Sequence, residues 1–172
     1  MIMEKREIIL FQLIFLLVVF LANNSPVFSQ YGPTTLTGPR LGFTIISGEM
    51  ADKLKDDYDA IPIVTQFGWQ FEWRFFSLED GTSGVVEIIP LVGGVEQNLF
   101  LPSLSVLIGI RSKKGLEFGV GPNVSITGFA IAFAGGVTVK TGQLNWPINI
   151  AYVPSTEGAR LTFLFGFNMI IQ

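Results

Sequence analysis

From Gln30 onward, apolar and polar residues alternate in segments of roughly ten, the signature of strands with two unlike faces. The pattern is sharpest in the run from Gln66 to Phe76, QFGWQFEWRFF. Phe67, Trp69, Phe71, Trp73 and Phe75 fall on one face, and Gln66, Gly68, Gln70, Glu72 and Arg74 on the other. The same alternation predicts strands over residues 36–46, 63–77, 84–92, 100–111, 116–125, 129–140, 144–152 and 160–171. One stretch departs from it. Gly48 to Tyr58 places Met50, Leu54 and Tyr58 four apart, which predicts a short acidic helix closed by Pro62. Short turn signals such as Glu79-Asp80-Gly81, Gly93-Gly94 and Ser112-Lys113-Lys114-Gly115 separate the strands. Such short links imply antiparallel neighbours, because parallel crossovers need a dozen or more residues. The expected fold is therefore all-β: an eight-stranded antiparallel up-and-down meander barrel, with one short helix in its first long loop.

Which face meets water decides where such a barrel resides. A soluble surface is dense in lysine, glutamate and threonine. Here the polar face is mainly Gly, Ala, Ser, Asn and Gln, with isolated charges at Arg40, Glu72, Arg74, Glu87, Arg111, Glu117, Lys140 and Arg160. Small residues suit the cramped interior of an eight-stranded barrel, and enclosed charges of both signs form a candidate lumen charge network. The opposite face carries Phe67, Trp69, Phe71, Trp73, Phe75, Trp146, Tyr152, Phe163, Phe165 and Phe167, too many large rings for a narrow lumen. These read as lipid-facing, and the barrel as transmembrane. With both chain ends at the periplasmic side, Trp73 and Trp146 fall near that end and Tyr152 near the other, as an aromatic girdle requires. On this facing Phe71→Arg is costly and Gln70→Glu mild. The alternative is a secreted or periplasmic soluble barrel, lipocalin-like, that holds an apolar small ligand among the phenylalanines.

Composition narrows the function. Charged residues make up 15% of the 172-residue chain, against roughly 25% in an ordinary soluble domain, and the mean hydropathy is +0.50. The net charge of −3 offers no basic footprint for nucleic acid. Cysteine and histidine are absent, which removes thiolate metal sites and the commonest general base. Lys5 and Arg6 precede an apolar run from Ile8 to Ala22, interrupted only by Gln12, then the polar patch Asn23-Asn24-Ser25-Pro26 and Val27-Phe28-Ser29. That order describes a secretory signal over residues 1–29, cleaved after Ser29, followed by a single barrel domain over residues 30–172. The run is short for a membrane-spanning helix.

Chemistry is sparse. Glu72, Glu87 and Glu117 are able to converge in the lumen, but pairing with Arg74, Arg111, Arg160 and Arg40 as a polar plug accounts for them. The acidic stretch from Asp52 to Asp59 lacks the residue order of a calcium loop, and its lysines suit a solvated helix. Gly119-Val120-Gly121 lies within a strand and opens no helix, so it eases curvature rather than cradling phosphate. No catalytic residue, cofactor or metal site is expected.

The alternating segments, the short turns and the aromatic final strand RLTFLFGFNMIIQ resemble the small eight-stranded outer-membrane barrels, the OmpA/OmpX-like group. The resemblance covers residues 30–172 by pattern, without an identifying motif. It implies a bacterial outer-membrane location, insertion by the barrel-assembly machinery, and a non-enzymatic structural, adhesive or receptor-like role. Members of that group usually end on an aromatic residue. This chain ends on Gln172, so either Phe167 takes that part with a tail beyond it or the assembly signal is atypical.

Overall fold

A computed structural model describes residues 35–141 and 144–171. The expected export signal and its cleavage point lie outside these residues. The strands are β1 (Thr35–Ile46), β2 (Ile63–Ser77), β3 (Ser83–Gly93), β4 (Leu101–Arg111), β5 (Leu116–Ser125), β6 (Gly128–Thr141), β7 (Leu144–Val153), β8 (Arg160–Gly166) and β9 (Met169–Ile171). One helix, α1 (Glu49–Tyr58), lies between β1 and β2, and a single 3-10 turn (Val95–Gln97) lies between β3 and β4. Each strand pairs antiparallel with the next, and β1 pairs with β2 on one side and with β8 and β9 on the other. The sheet closes on itself. β8 and β9 hold one register against β1, with Arg40 opposite Gly166 and Thr37 opposite Met169, so they form a single interrupted strand. The interruption falls at Phe167 and Asn168, facing Pro39, which has no N–H to give to the ladder. The architecture is thus the closed eight-stranded antiparallel meander, with the helix in its first loop.

The wall has two unlike sides. Among the described residues, no Asp, Glu, Lys or Arg stands at an outward strand position, and no aromatic ring at an inward one. A β-bulge between Arg74 and Phe76 inserts one extra residue in β2, which brings Phe76 out beside Phe75. Inward glycines allow close approach of neighbouring strands. A β-carbon at Gly42 would sit 1.8 Å from the carbonyl oxygen of Phe163, and one at Gly121 would sit 2.0 Å from that of Val106. Gly119 is less confined, with its nearest neighbour at 3.5 Å.

The interior is also less uniformly polar than the alternation suggests. Ile89, Leu91, Leu107, Ala132, Val153 and Leu164 form a buried apolar cluster inside the barrel. A second cluster closes the loop end. There Met50, Ala51 and Leu54 of α1 pack on Ile46 and Val64, the last inward residue of β1 and the first of β2. The helix places its acids Glu49 and Asp52 in the first turn and Lys55 in the last, as its dipole favours. It ends on Asp59 in the left-handed conformation, whose N–H reaches the carbonyl of Lys55 at 3.1 Å.

Candidate functional site

The lumen holds a buried polar network centred on Arg111, the last residue of β4. Both terminal nitrogens of its guanidinium donate to the Glu72 carboxylate, and its Nε donates to Glu117 Oε1 at 2.8 Å. A third acid, Glu87, lies 3.9 Å from Nη2. The Thr138 hydroxyl donates to Glu117. From Glu87 the chain of bonds continues through Gln70, whose Nε2 donates to Glu87 Oε1 at 2.9 Å. Gln70 Oε1 in turn accepts from Arg40 Nε at 2.9 Å, and Arg40 Nη2 reaches Asn168 Oδ1 at 2.7 Å. The three carboxylates thus converge on one arginine, and β1 to β6 each contribute a side chain to the connected set, with Asn168 added from the interruption between β8 and β9. A planar guanidinium with five N–H donors is the side chain able to serve several acids at once.

The expected pairing of the acids with Arg40, Arg74 and Arg160 differs from this arrangement. Of the four arginines expected to pair with the acids, Arg111 alone forms ion pairs among the described residues. Arg40, fully buried, is held by amide oxygens and by the Pro39 carbonyl. Arg160 donates to Asn123 Oδ1 at 2.7 Å. Arg74 is half-buried, and its Nε has no partner. Lys140, near the end of β6, is exposed. Between the network and the helix the interior leaves two small cavities of about 60 and 70 Å³, both bordered by Gln66 and Arg160.

Of the aromatics expected on the outer face, Phe67, Trp69, Phe71, Trp73, Phe75, Trp146, Tyr152 and Phe165 are exposed. Phe163 and Phe167 are half-covered, Phe163 by the stacked ring of Phe43 and Phe167 by Trp146. The Trp69 indole donates to the Thr37 hydroxyl at 2.6 Å, so its one polar atom is satisfied within the outer face.

Opposite the start of β1 and the end of β9, the mouth is built from α1 and the loops following β3, β5 and β7. Gln97 Oε1 accepts the Ile61 N–H at 2.7 Å while its Nε2 donates to the Ile63 carbonyl at 2.9 Å. Glu96 accepts the N–H of Thr65 at 2.8 Å and also the Thr65 hydroxyl. Slight burial alone would raise the Glu96 carboxyl, but these bonds favour the charged form and hold it below the usual carboxylate range. A depressed carboxylate contributes its anchoring above the unfolded value and loses it as pH falls through the folded one. Accordingly, the Thr65 amide resonance is expected to titrate with a midpoint below about 4.3, the ordinary glutamate value. The transition should vanish in Glu96→Gln; a midpoint at or above the ordinary value contradicts the bonding described.

The sequence matches no protein-family model and no curated protein. Solved structures do match. The crystal structure of Ail, the attachment invasion locus protein of Yersinia pestis, superposes with a TM-score of 0.51 at 12% identity, over 81% of this chain and 97% of Ail. Ail in complex with the heparin analogue sucrose octasulfate gives the same values. A third structure, of the outer membrane protein Ail in a phospholipid bilayer nanodisc, gives a TM-score of 0.47 at 13% identity, over 79% and 99%. This chain shares the barrel fold of Ail.

Within this Ail-like barrel, two features escaped sequence reasoning. The hub role of Arg111 depends on register, which sets Arg111 opposite Glu117 and Glu72 opposite Glu87 on neighbouring strands. The packing of α1 across the mouth was signalled only by the spacing of Met50 and Leu54, which marks a buried stripe without saying what covers it.

Proposed function

We propose that this chain is a non-enzymatic barrel of the bacterial outer membrane, of the OmpA/OmpX-like group, exported by its first 29 residues and inserted by the barrel-assembly machinery. One observation carries the reading: a continuous outer belt of Phe, Trp, Ile, Leu and Val with no charged side chain among the described residues. In water so large an apolar surface drives aggregation, whereas in hydrocarbon it is the required finish. Closure of the sheet supports the same reading, because a membrane-spanning sheet has no water to satisfy an open edge. The lumen is closed by the Arg111 network and by α1, so the barrel is not a diffusion channel. A soluble carrier holding its ligand among phenylalanines is disfavoured, since the rings are outside and the interior cavities are small.

The role proposed is adhesive or receptor-like, exercised by the helix-bearing mouth that lies opposite the start of β1 and the end of β9. This end is acidic: Glu49, Asp52, Asp56, Asp57, Asp59, Glu96 and Glu157 stand against Lys53 and Lys55. The polysulfated sugar bound to Ail is therefore not carried over, because this face repels polyanions. The test is fractionation and gel mobility. The protein is expected in the detergent-requiring outer-membrane fraction, with faster migration before boiling than after. Release by osmotic shock in soluble form would sink the proposal.

A further inference from the structure

At the mouth, α1 and the β3–β4 loop enclose an open cleft of about 570 Å³, within the range of ligand-binding pockets. Its floor is apolar, with Leu54 from the helix and Leu99 from the loop. Its walls carry large apolar groups that no other described residue covers: Phe100 is 70% exposed, Ile126 64% and Tyr58 63%. Singly exposed apolar residues are ordinary, but three around one concavity mark a contact surface. The rim is acidic. Glu157 is paired with Lys53 at 3.2 Å, while Asp57 joins no ion pair among the described residues.

The frame is set before any partner arrives. Gln97 ties the β3–β4 loop to Ile61 and Ile63, and the Met50 N–H reaches the Glu157 carbonyl at 3.0 Å, fixing the helix to the β7–β8 loop. A preformed cleft avoids the entropic cost of ordering its walls.

We infer that this cleft is a docking site for a basic peptide segment of a partner protein, inserting an apolar side chain between Phe100, Tyr58 and Ile126 while its lysines or arginines meet Asp57 and the surrounding acids. Charge complementarity selects the occupant: the mouth around the cleft carries seven acids against two lysines, and the cleft itself offers Asp57, beside the Lys53–Glu157 pair, together with the apolar seat. A cationic head on an apolar stem also gains from the exposed faces of Tyr58 and Phe100. The inference rests on the reading of this chain as a membrane-anchored surface barrel.

The experiment uses the exported chain in lipid nanodiscs, with fluorescence anisotropy of a labelled lysine–leucine peptide and of a glutamate–leucine counterpart. Saturable binding of the basic peptide alone is expected, weakening with salt. Phe100→Ser and Asp57→Lys, both outside the strands, are each expected to weaken it by about tenfold, the loss typical of an interface anchor. Equal binding of the acidic peptide, equal binding to empty discs, or unchanged affinity in both variants would overturn the docking site. So would variants that alter only attachment of the barrel to lipid vesicles. Heat-modifiable mobility of each variant separates the two readings. A barrel that shows it but leaves the basic peptide free refutes the cleft alone, and one that needs no detergent refutes the membrane assignment.

Discussion

Arg111→Ala is expected to destabilise the barrel by about 3–5 kcal/mol, the cost of leaving buried charge without its partner. The guanidinium is nearly inaccessible and is the only cation in ion-pair contact with Glu72, Glu87 and Glu117 among the described residues. Its removal leaves three carboxylates facing one another in a lumen with little room for water. Arg74→Ala is the control, because Arg74 lies in the same region, is half-buried and forms no ion pair among the described residues. Urea unfolding in detergent micelles, followed by tryptophan fluorescence, measures both. A second comparison separates burial of charge from loss of packing. Adding Glu72→Leu to Arg111→Met removes one of the orphaned acids, so the double variant is expected to recover part of the stability lost in Arg111→Met alone. An Arg111→Ala variant no weaker than Arg74→Ala would dismiss the network as the lumen's main polar support.

The alternation of side chains made the strands, their facing and the helix legible, because a period of two leaves a one-residue slip no freedom when one face is uniformly apolar. Strand β3 shows where that legibility stops. Val85, Glu87, Ile89 and Leu91 point inward while Val86, Ile88, Pro90 and Val92 point outward, so both faces are largely apolar and the pattern carries little contrast. Leu107, which breaks the alternation of β4, belongs to the same buried interior cluster. An apolar residue at an inward position is thus part of the barrel's core, packed where the lumen has no use for charge. The Phe167–Asn168 interruption was hidden for another reason. Its cause, Pro39, lies on the facing strand, more than a hundred residues away in the chain. Contacts set by register, such as Arg111 with Glu72, are invisible to any reading of one strand at a time.

Phe71→Arg is the second large effect, and its physics is that of the surrounding medium. Phe71 points outward midway along β2, flanked by Trp69 and Trp73 on the same face, with Thr37 and Ile88 opposite it on the two neighbouring strands. Among the described residues no acid stands at an outward position to receive a guanidinium there. An arginine at the bilayer midplane of such a barrel costs about 2–4 kcal/mol, falling to about 0–1 kcal/mol near the interfaces. Leu116→Arg is the matched control, because Leu116 begins β5 beside Lys113 and Lys114 in the adjoining turn, where a new cation reaches headgroups and water. Gln70→Glu is not a mild comparison, although its polar face alone makes it look so. It replaces the amide that donates to Glu87 Oε1 with a fourth carboxylate against the three already present. Its loss is expected to respond to the Arg111 network rather than to lipid. Unfolding of the three variants in bilayers of known thickness distinguishes the cases. A depth-dependent cost, large at Phe71 and small at Leu116, is the outcome that lipid contact requires. Equal costs at the two positions would mean that no hydrocarbon slab surrounds the belt.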